Sequence, residues 1–180
     1  MVEDRRTRHT KDRIYRAMLL CLDSTSLDKI TVTQICDTAD INRSTFYAHY
    51  PNPITLYKLM EQHLTDGLNR CFIDLKDKSI TYPEFIRLFL EYCYENDDLF
   101  LALNKTDSIS LKSACVELLV KYGFLTGKIL KKDRIYYYVF YVNGVFSTVD
   151  RWLREDRMKS IDEMKQLIYR LTYTSHRSQK

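Results

Sequence analysis

The run Asn42-Arg-Ser-Thr-Phe-Tyr-Ala-His49 holds the densest recognition chemistry in the chain. Arg43 carries a planar fork of donors that matches guanine O6 and N7, Ser44 and Thr45 are small donors and acceptors, and Tyr47 and His49 can reach phosphates. Ala48 leaves room for close approach to a thymine methyl. No carboxylate interrupts the run, so nothing in it repels a polyanion. Upstream, Arg5, Arg6, Arg8, Lys11, Arg13 and Arg16 are opposed only by Asp12, a local positive excess of the kind that marks a nucleic-acid partner. The whole chain is milder, with 28 Lys and Arg against 24 Asp and Glu for a net charge of +4. Where the charge sits therefore says more than its sum.

Other chemistries lack their residues. Cys21, Cys36, Cys71, Cys93 and Cys115 form no C-x-x-C pair and lie beside apolar neighbours, which reads as reduced core thiols rather than a disulfide framework or zinc site. His9, His49, His63 and His176 are too scattered for metal-ligand or triad spacing. The chain offers no nucleophile and base pair, no metal cluster and, with only 4 Gly, no phosphate-cradling glycine loop. It reads as a non-enzyme with no cofactor and no metal. The longest uncharged stretch, Ile135 to Val149, is shorter than the roughly 20 residues a membrane helix needs, and the N-terminus is charged where a secretory signal is apolar. A cytoplasmic protein with no membrane partner is the expectation.

These side chains need elements to position them. A length of 180 residues suits one domain or two small ones, and 45% apolar residues with 13% aromatics supply a core. Having only 4 Gly and 3 Pro favours long helices over tight-turned β architecture. Ile14, Ala17, Met18, Cys21 and Leu22 give a helical stripe that predicts a helix from about Thr10 to Asp23. Thr31-Val-Thr-Gln34 is a capping box that opens a short helix to about Thr38 with Val32, Ile35, Cys36 and Ala39 inward. Asn42 caps a third helix to about His49, with Phe46 and Tyr50 on its buried side, and Asn52-Pro53 starts a long fourth one carrying Leu56, Leu59, Met60, His63, Leu64 and Leu68 inward. Two more boxes, Thr81 to Glu84 and Ser160 to Glu163, open helices with Phe85, Leu88, Phe89, Tyr92 and Cys93, and with Met164, Leu167, Ile168 and Leu171, on their inner faces. Short helices are expected at about Asp98 to Leu103 and Ser108 to Tyr122, a loop framed by Gly123 and Gly127, and a frayed basic tail after Tyr173. From Ile135 to Leu153 the β-favouring run Tyr136 to Val142 keeps a 3.6 period through Ile135, Tyr138, Val139, Val142, Val145, Phe146, Val149, Trp152 and Leu153, which predicts a helix rather than a strand. The fold class is all-α.

Two short helices joined by a turn, the second capped by Asn42, meet the specification of a helix-turn-helix. Thr31 and Thr33 open the first of them, where the positive end of a helix favours a phosphate. From Ile14 to Leu56 the chain also resembles the DNA-binding domain of TetR-type (TetR/AcrR) bacterial transcriptional regulators. The resemblance rests on Thr31-Val32, Ile35, Ala39, Ile41, the run Ser44 to Tyr50, and Leu56. It implies that Thr45, Tyr47 and His49 contact DNA and that the second and third helices form the reading motif. Tyr136 to Gly144 followed by Arg151-Trp152-Leu153 looks like the penultimate, dimerising helix of the same family, whereas residues 72 to 132 show no match. Two positions depart from the pattern. Asp40 stands where glycine is usual, and Pro53 replaces a lysine that would neutralise a phosphate, with Lys58 and the Arg5 to Arg16 arm as substitutes.

The expected organisation is a three-helix DNA-binding domain over residues 1–55 and a helical dimerisation and effector domain over residues 56–180. The DNA-facing set is Thr31, Thr33, Arg43, Ser44, Thr45, Tyr47, His49 and Lys58. A second stripe on the penultimate helix, Tyr137, Tyr141, Gly144 and Thr148, lies opposite its core face, so that helix needs two partners, one of them a symmetry mate. Phe89, Tyr92, Cys115, Leu118, Tyr122 and Tyr138 are the candidate walls of a pocket for a small apolar or aromatic effector. The function these readings support is a sequence-specific, ligand-responsive repressor that binds a double-stranded DNA operator as a homodimer. The rival is a TetR-like protein without operator binding that acts by docking to another protein.

Overall fold

Helix starts along this chain are set by side chains that satisfy the orphan amides of the first turn. In the computed structural model, which describes residues 4–77, 79–106, 109–122, 130–155 and 158–173, the described residues form helices and no strand. They are α1 (Arg5–Ser24), α2 (Val32–Ala39), α3 (Arg43–Tyr47), α4 (Pro53–Lys76), α5 (Tyr82–Glu95), α6 (Asp97–Lys105), α7 (Ile109–Tyr122), α8 (Arg134–Arg154) and α9 (Ile161–Tyr173). Short 3-10 turns occupy Leu27–Lys29 and Lys131–Asp133. At the head of α2, Thr31 Oγ1 accepts the Gln34 amide at 3.2 Å while Gln34 Oε1 accepts the Thr31 amide at 2.8 Å. Asn52 Oδ1 accepts the Thr55 amide at 2.8 Å at the start of α4. Glu84 and Glu163 reach back to the amides of Thr81 and Ser160, each at 2.7 Å. The Gly123 and Gly127 loop, Ser108 and the tail after Tyr173 lie outside the described residues.

Two compact units divide between His63 and Leu64, inside α4, eight residues beyond the boundary expected after residue 55. In the first unit α1 packs on α2 and α2 on α3. Ile14, Ala17, Met18, Cys21 and Leu22 of α1, Ile35, Cys36 and Ala39 of α2, and Phe46 of α3 are buried. In the second unit α5 packs on α9, and α8 packs on both α6 and α7. Its interior is aromatic, with Phe85, Phe89, Phe100, Tyr138 and Phe146 buried.

Several expectations need correction. Helix α1 begins at Arg5, not near Thr10, because Asp4 Oδ1 accepts the Arg6 amide and caps a turn that has no apolar stripe to announce it. On α4 the buried row runs through Leu56, Met60, Leu64, Leu68 and Phe72, an unbroken i, i+4 ladder that leaves Leu59 (53% exposed) and His63 on its shoulder. Ile135 and Val139 on α8 are likewise exposed, at 46% and 45%, although Tyr138 and Val142 on the same side are buried. On α9 the inner row is Met164, Ile168 and Thr172, which turns Leu171 outward at 59% exposure. Tyr50 is only half-buried, its ring tilted against Phe46 with centroids 5.9 Å apart. A 3.6 period locates the apolar side of a helix, but the buried face is narrower than the apolar stripe.

Candidate functional site

The turn between α2 and α3 depends on a residue that should resist it. Asp40 has φ 50° and ψ 55°, the left-handed conformation that glycine adopts most easily and Asp tolerates better than most. Its amide donates to the Asp37 carbonyl, and the Ile41 amide donates to the Cys36 carbonyl at 3.0 Å. This pair closes a Schellman motif over the end of α2. Arg13 Nη2 of α1 donates to the Asp40 carbonyl at 2.7 Å and to its Oδ2 at 3.0 Å. One member of the basic arm thus serves the turn rather than standing free for a phosphate.

Past the turn, Asn42 Oδ1 accepts three donors: the Thr45 amide at 2.8 Å, Thr45 Oγ1 at 2.8 Å and Ser44 Oγ at 2.6 Å. Both hydroxyl protons of the first turn of α3 point inward as a result, leaving their oxygen lone pairs to the outside. Phe46, 0% exposed, anchors the helix and meets Tyr47 edge to face. Arg43, Ser44, Tyr47 and Ala48 face solvent, Tyr47 at 56% exposure, while Thr45 and His49 are half-buried. Arg43 Nη2 donates to Thr33 Oγ1 of α2 at 2.8 Å, a bond across the motif that spacing did not reveal. Thr31 is exposed in its capping box, and Lys58 is exposed on α4. Burial raises the Cys36 thiol, and Arg43 partly offsets that rise.

In the second unit the stripe Tyr137, Tyr141, Gly144 and Thr148 borders a groove between α8 and α9 with about 200 Å³ of space, shared with Phe140, Ile168, Leu171 and Thr172. Phe140 is 78% exposed. Nothing lies within 4 Å of where a Gly144 Cβ would stand. Under the groove, Tyr82 of α5 donates to Thr172 Oγ1 at 2.9 Å, and Thr172 donates to the Ile168 carbonyl at 2.7 Å. The 2.7 Å contact between the Tyr141 and Tyr82 hydroxyls must then be donated by Tyr141. Burial pushes Tyr141 well above the usual phenol range, and the Tyr82 hydroxyl adds to that; burial likewise takes Tyr137 to about 12.

The six candidate wall residues do not come together. Phe89 and Cys115 line a cavity of only about 20 Å³ with Phe72, Phe85, Phe146 and others, room for about one water. Tyr138 is buried in the core, and the Tyr122 ring meets Lys76 Nζ at 5.6 Å and Lys121 Nζ at 5.2 Å. Leu118 is half-buried and does not line the cavity. Tyr92 crosses α4 at Gly67, where an added Cβ would collide with the phenol ring. Among the described residues no three His, Cys, Asp or Glu side chains group as a metal site, and no helix is long and apolar enough to cross a membrane. All five cysteines are free.

An all-α chain with a capped helix-turn-helix in its first unit and a helical second unit has the architecture of a TetR-type regulator. Residues 80–174, just over half of the chain, match the TetR C-terminal family described as "Transcriptional regulator C-terminal region". The chain belongs to this family of transcriptional regulators. No curated protein sequence matches it. Among solved structures it is similar to a TetR transcriptional regulator from Streptococcus agalactiae (23% identity, 96% of this chain and 98% of that one, TM-score 0.63). It is also similar to a TetR-like regulator from Rhodococcus sp. RHA1 (15% identity, 99% and 100% covered, TM-score 0.68). A third is Thermus thermophilus FadR, a TetR-family repressor solved with lauroyl-CoA (18% identity, 91% and 93% covered, TM-score 0.53). At these identities the likeness is one of fold.

Proposed function

We infer that this protein is a cytoplasmic, sequence-specific DNA-binding regulator that acts as a homodimer, each subunit laying α3 in a major groove of a roughly palindromic operator. The observation that carries the reading is the outer face of α3. It presents Arg43, Ser44, Tyr47 and Ala48 with no carboxylate among them, on a helix held by Phe46 and the triple acceptor Asn42. Thr31 and Thr33 at the head of α2, Thr45 on α3, His49 in the turn just past it, and Lys58 on α4 complete the proposed DNA-facing set. Arg43 reads a base edge, while Tyr47 and His49 position the helix on phosphates.

Dimerisation runs along Tyr137, Tyr141, Gly144 and Thr148, and the exposed Phe140 and Leu171 on the same groove supply apolar area for it. The protein represses by occupying the operator. A small apolar or aromatic effector would enter the second unit beside Phe89 and Cys115, and it must displace aromatic rings, because the cavity there has about 20 Å³.

Selection from randomised duplexes by the purified protein tests the reading. An approximately palindromic sequence should emerge, bound with an affinity that falls steeply with salt as counterions are released. Arg43→Ala should relax preference at one position per half-site at a cost of about 1–3 kcal/mol, whereas Tyr47→Phe or His49→Ala should weaken all duplexes more evenly. Enrichment of no sequence would overturn the operator reading in favour of the docking one.

A further inference from the structure

An arginine reads guanine only when its guanidinium plane lies along the base edge, and a long exposed side chain must surrender rotamer freedom to reach that pose. Here the freedom is already curtailed. Arg43, the first residue of α3, donates from Nη2 to Thr33 Oγ1 at 2.8 Å, and Thr33 sits on α2 in a half-buried position. The bond bridges the two helices of the motif, so both its ends rest on capped elements: Gln34 and Thr31 close the head of α2, and Asn42 closes that of α3. A guanidinium has five N–H donors, so one spent on Thr33 still leaves enough for a two-pronged contact with O6 and N7. The Thr33 hydroxyl accepts from Arg43 through an oxygen lone pair and keeps its own proton to donate, so base preference read together with the salt slope separates positioning from a phosphate contact.

We propose that Thr33 is a positioning residue for base recognition, holding the Arg43 guanidinium in its reading pose through the hydroxyl rather than acting as an independent phosphate contact. The proposal rests on the operator reading above and deepens it, assigning specificity at one operator position to a pair of residues on different helices. Its chemical content is that the hydroxyl matters, the methyl does not, and the effect of Thr33 passes through Arg43.

The experiment uses the full-length protein and the duplex selected by the wild type. Thr33→Val keeps the shape and removes the acceptor; Thr33→Ser restores it. Thr33→Val should weaken the selected duplex roughly 3- to 10-fold, the scale of one net hydrogen bond, and flatten preference at the position read by Arg43 while sparing the others. Its slope of log affinity against log salt should match the wild type, and Thr33→Ser should recover both affinity and preference. In an Arg43→Ala background Thr33→Val should change nothing further. Thermal melts establish that the variants fold; if Thr33→Val does not, Thr33→Ala carries the same comparison. An equal loss on every duplex with a shallower salt slope would make Thr33 a phosphate contact and overturn the proposal, as would full base preference in the folded variant. If the wild type selects no sequence, the operator reading itself fails, an outcome distinct from either of these.

Discussion

Gly144 separates two accounts of α8 by the sign of a stability change. In the single chain nothing lies within 4 Å of a Cβ built there, so a methyl meets no clash. Glycine in a helix interior costs about 0.5–1 kcal/mol relative to alanine. If the position faced only solvent, Gly144→Ala would therefore raise Tm by roughly 1–4 °C for a chain of this size. The proposed seam predicts a different outcome for a larger side chain. Across a two-fold axis each added leucine meets its symmetry mate, and overpacking costs about 1–3 kcal/mol per inserted side chain. Two copies give about 2–6 kcal/mol lost from the dimer, roughly 30- to 20,000-fold in its dissociation constant. The groove around Gly144 would separate as a whole, carrying with it Phe140 and Leu171, which are 78% and 59% exposed in the lone chain. Sedimentation velocity over a concentration series should then show a helical species of half the mass. Operator affinity should fall because the second half-site is no longer held at high effective concentration. A Gly144→Leu protein that is more stable than the parent, stays dimeric at the same concentrations and keeps its operator affinity would place Gly144 outside the interface and refute the seam.

Gly67 should behave in the opposite way within the monomer. A Cβ there runs into the Tyr92 ring, so Gly67→Ala should destabilise by about 1–2 kcal/mol, overpacking outweighing the gain in helix propensity. The loss should vanish in the Gly67→Ala, Tyr92→Ala double variant relative to Tyr92→Ala, and urea melts that show simple additivity would rule the contact out. Acid should reveal the caps. Backbone and hydroxyl hydrogen bonds from Thr81 and Ser160 hold Glu84 and Glu163 below their ordinary 4.5. At Asp150, burial pushes the carboxyl up but the bonds from Arg154 and Asn104 outweigh it, leaving it below 3.8. A carboxylate depressed in the folded state contributes stability that is complete above its unfolded pKa and is lost as pH falls through the folded one. The urea midpoint should accordingly drop below pH 4.5, and Glu84→Gln with Glu163→Gln, which keep an acceptor but cannot titrate, should flatten that limb. An unchanged acid limb in the double variant would remove the caps from the account.

The features legible in the sequence are the ones whose partners lie within one helical turn. Thr31 with Gln34, Asn42 with Thr45, Asn52 with Thr55, Thr81 with Glu84 and Ser160 with Glu163 each join residues three apart, so residue type and spacing suffice to place the helix starts. The all-α class and the helix-turn-helix followed from these starts and from the 3.6 period between them. The same period misjudged Leu59, Ile135, Val139 and Leu171, because it reports which side of a helix is apolar and not how much of that side a neighbour covers.

Only the tertiary structure decided which side chains are already spoken for. Arg13 is taken by Asp40, 27 residues away, and Arg43 by Thr33, ten residues away across the turn. Tyr141, Tyr82 and Thr172 meet from three helices. Tyr92 crosses Gly67 of α4 and does not line the cavity beside Phe89. Such pairings depend on how helices distant in the chain lie against one another. A local sequence pattern records what a residue can do, whereas the fold determines which of its possible partners is within reach.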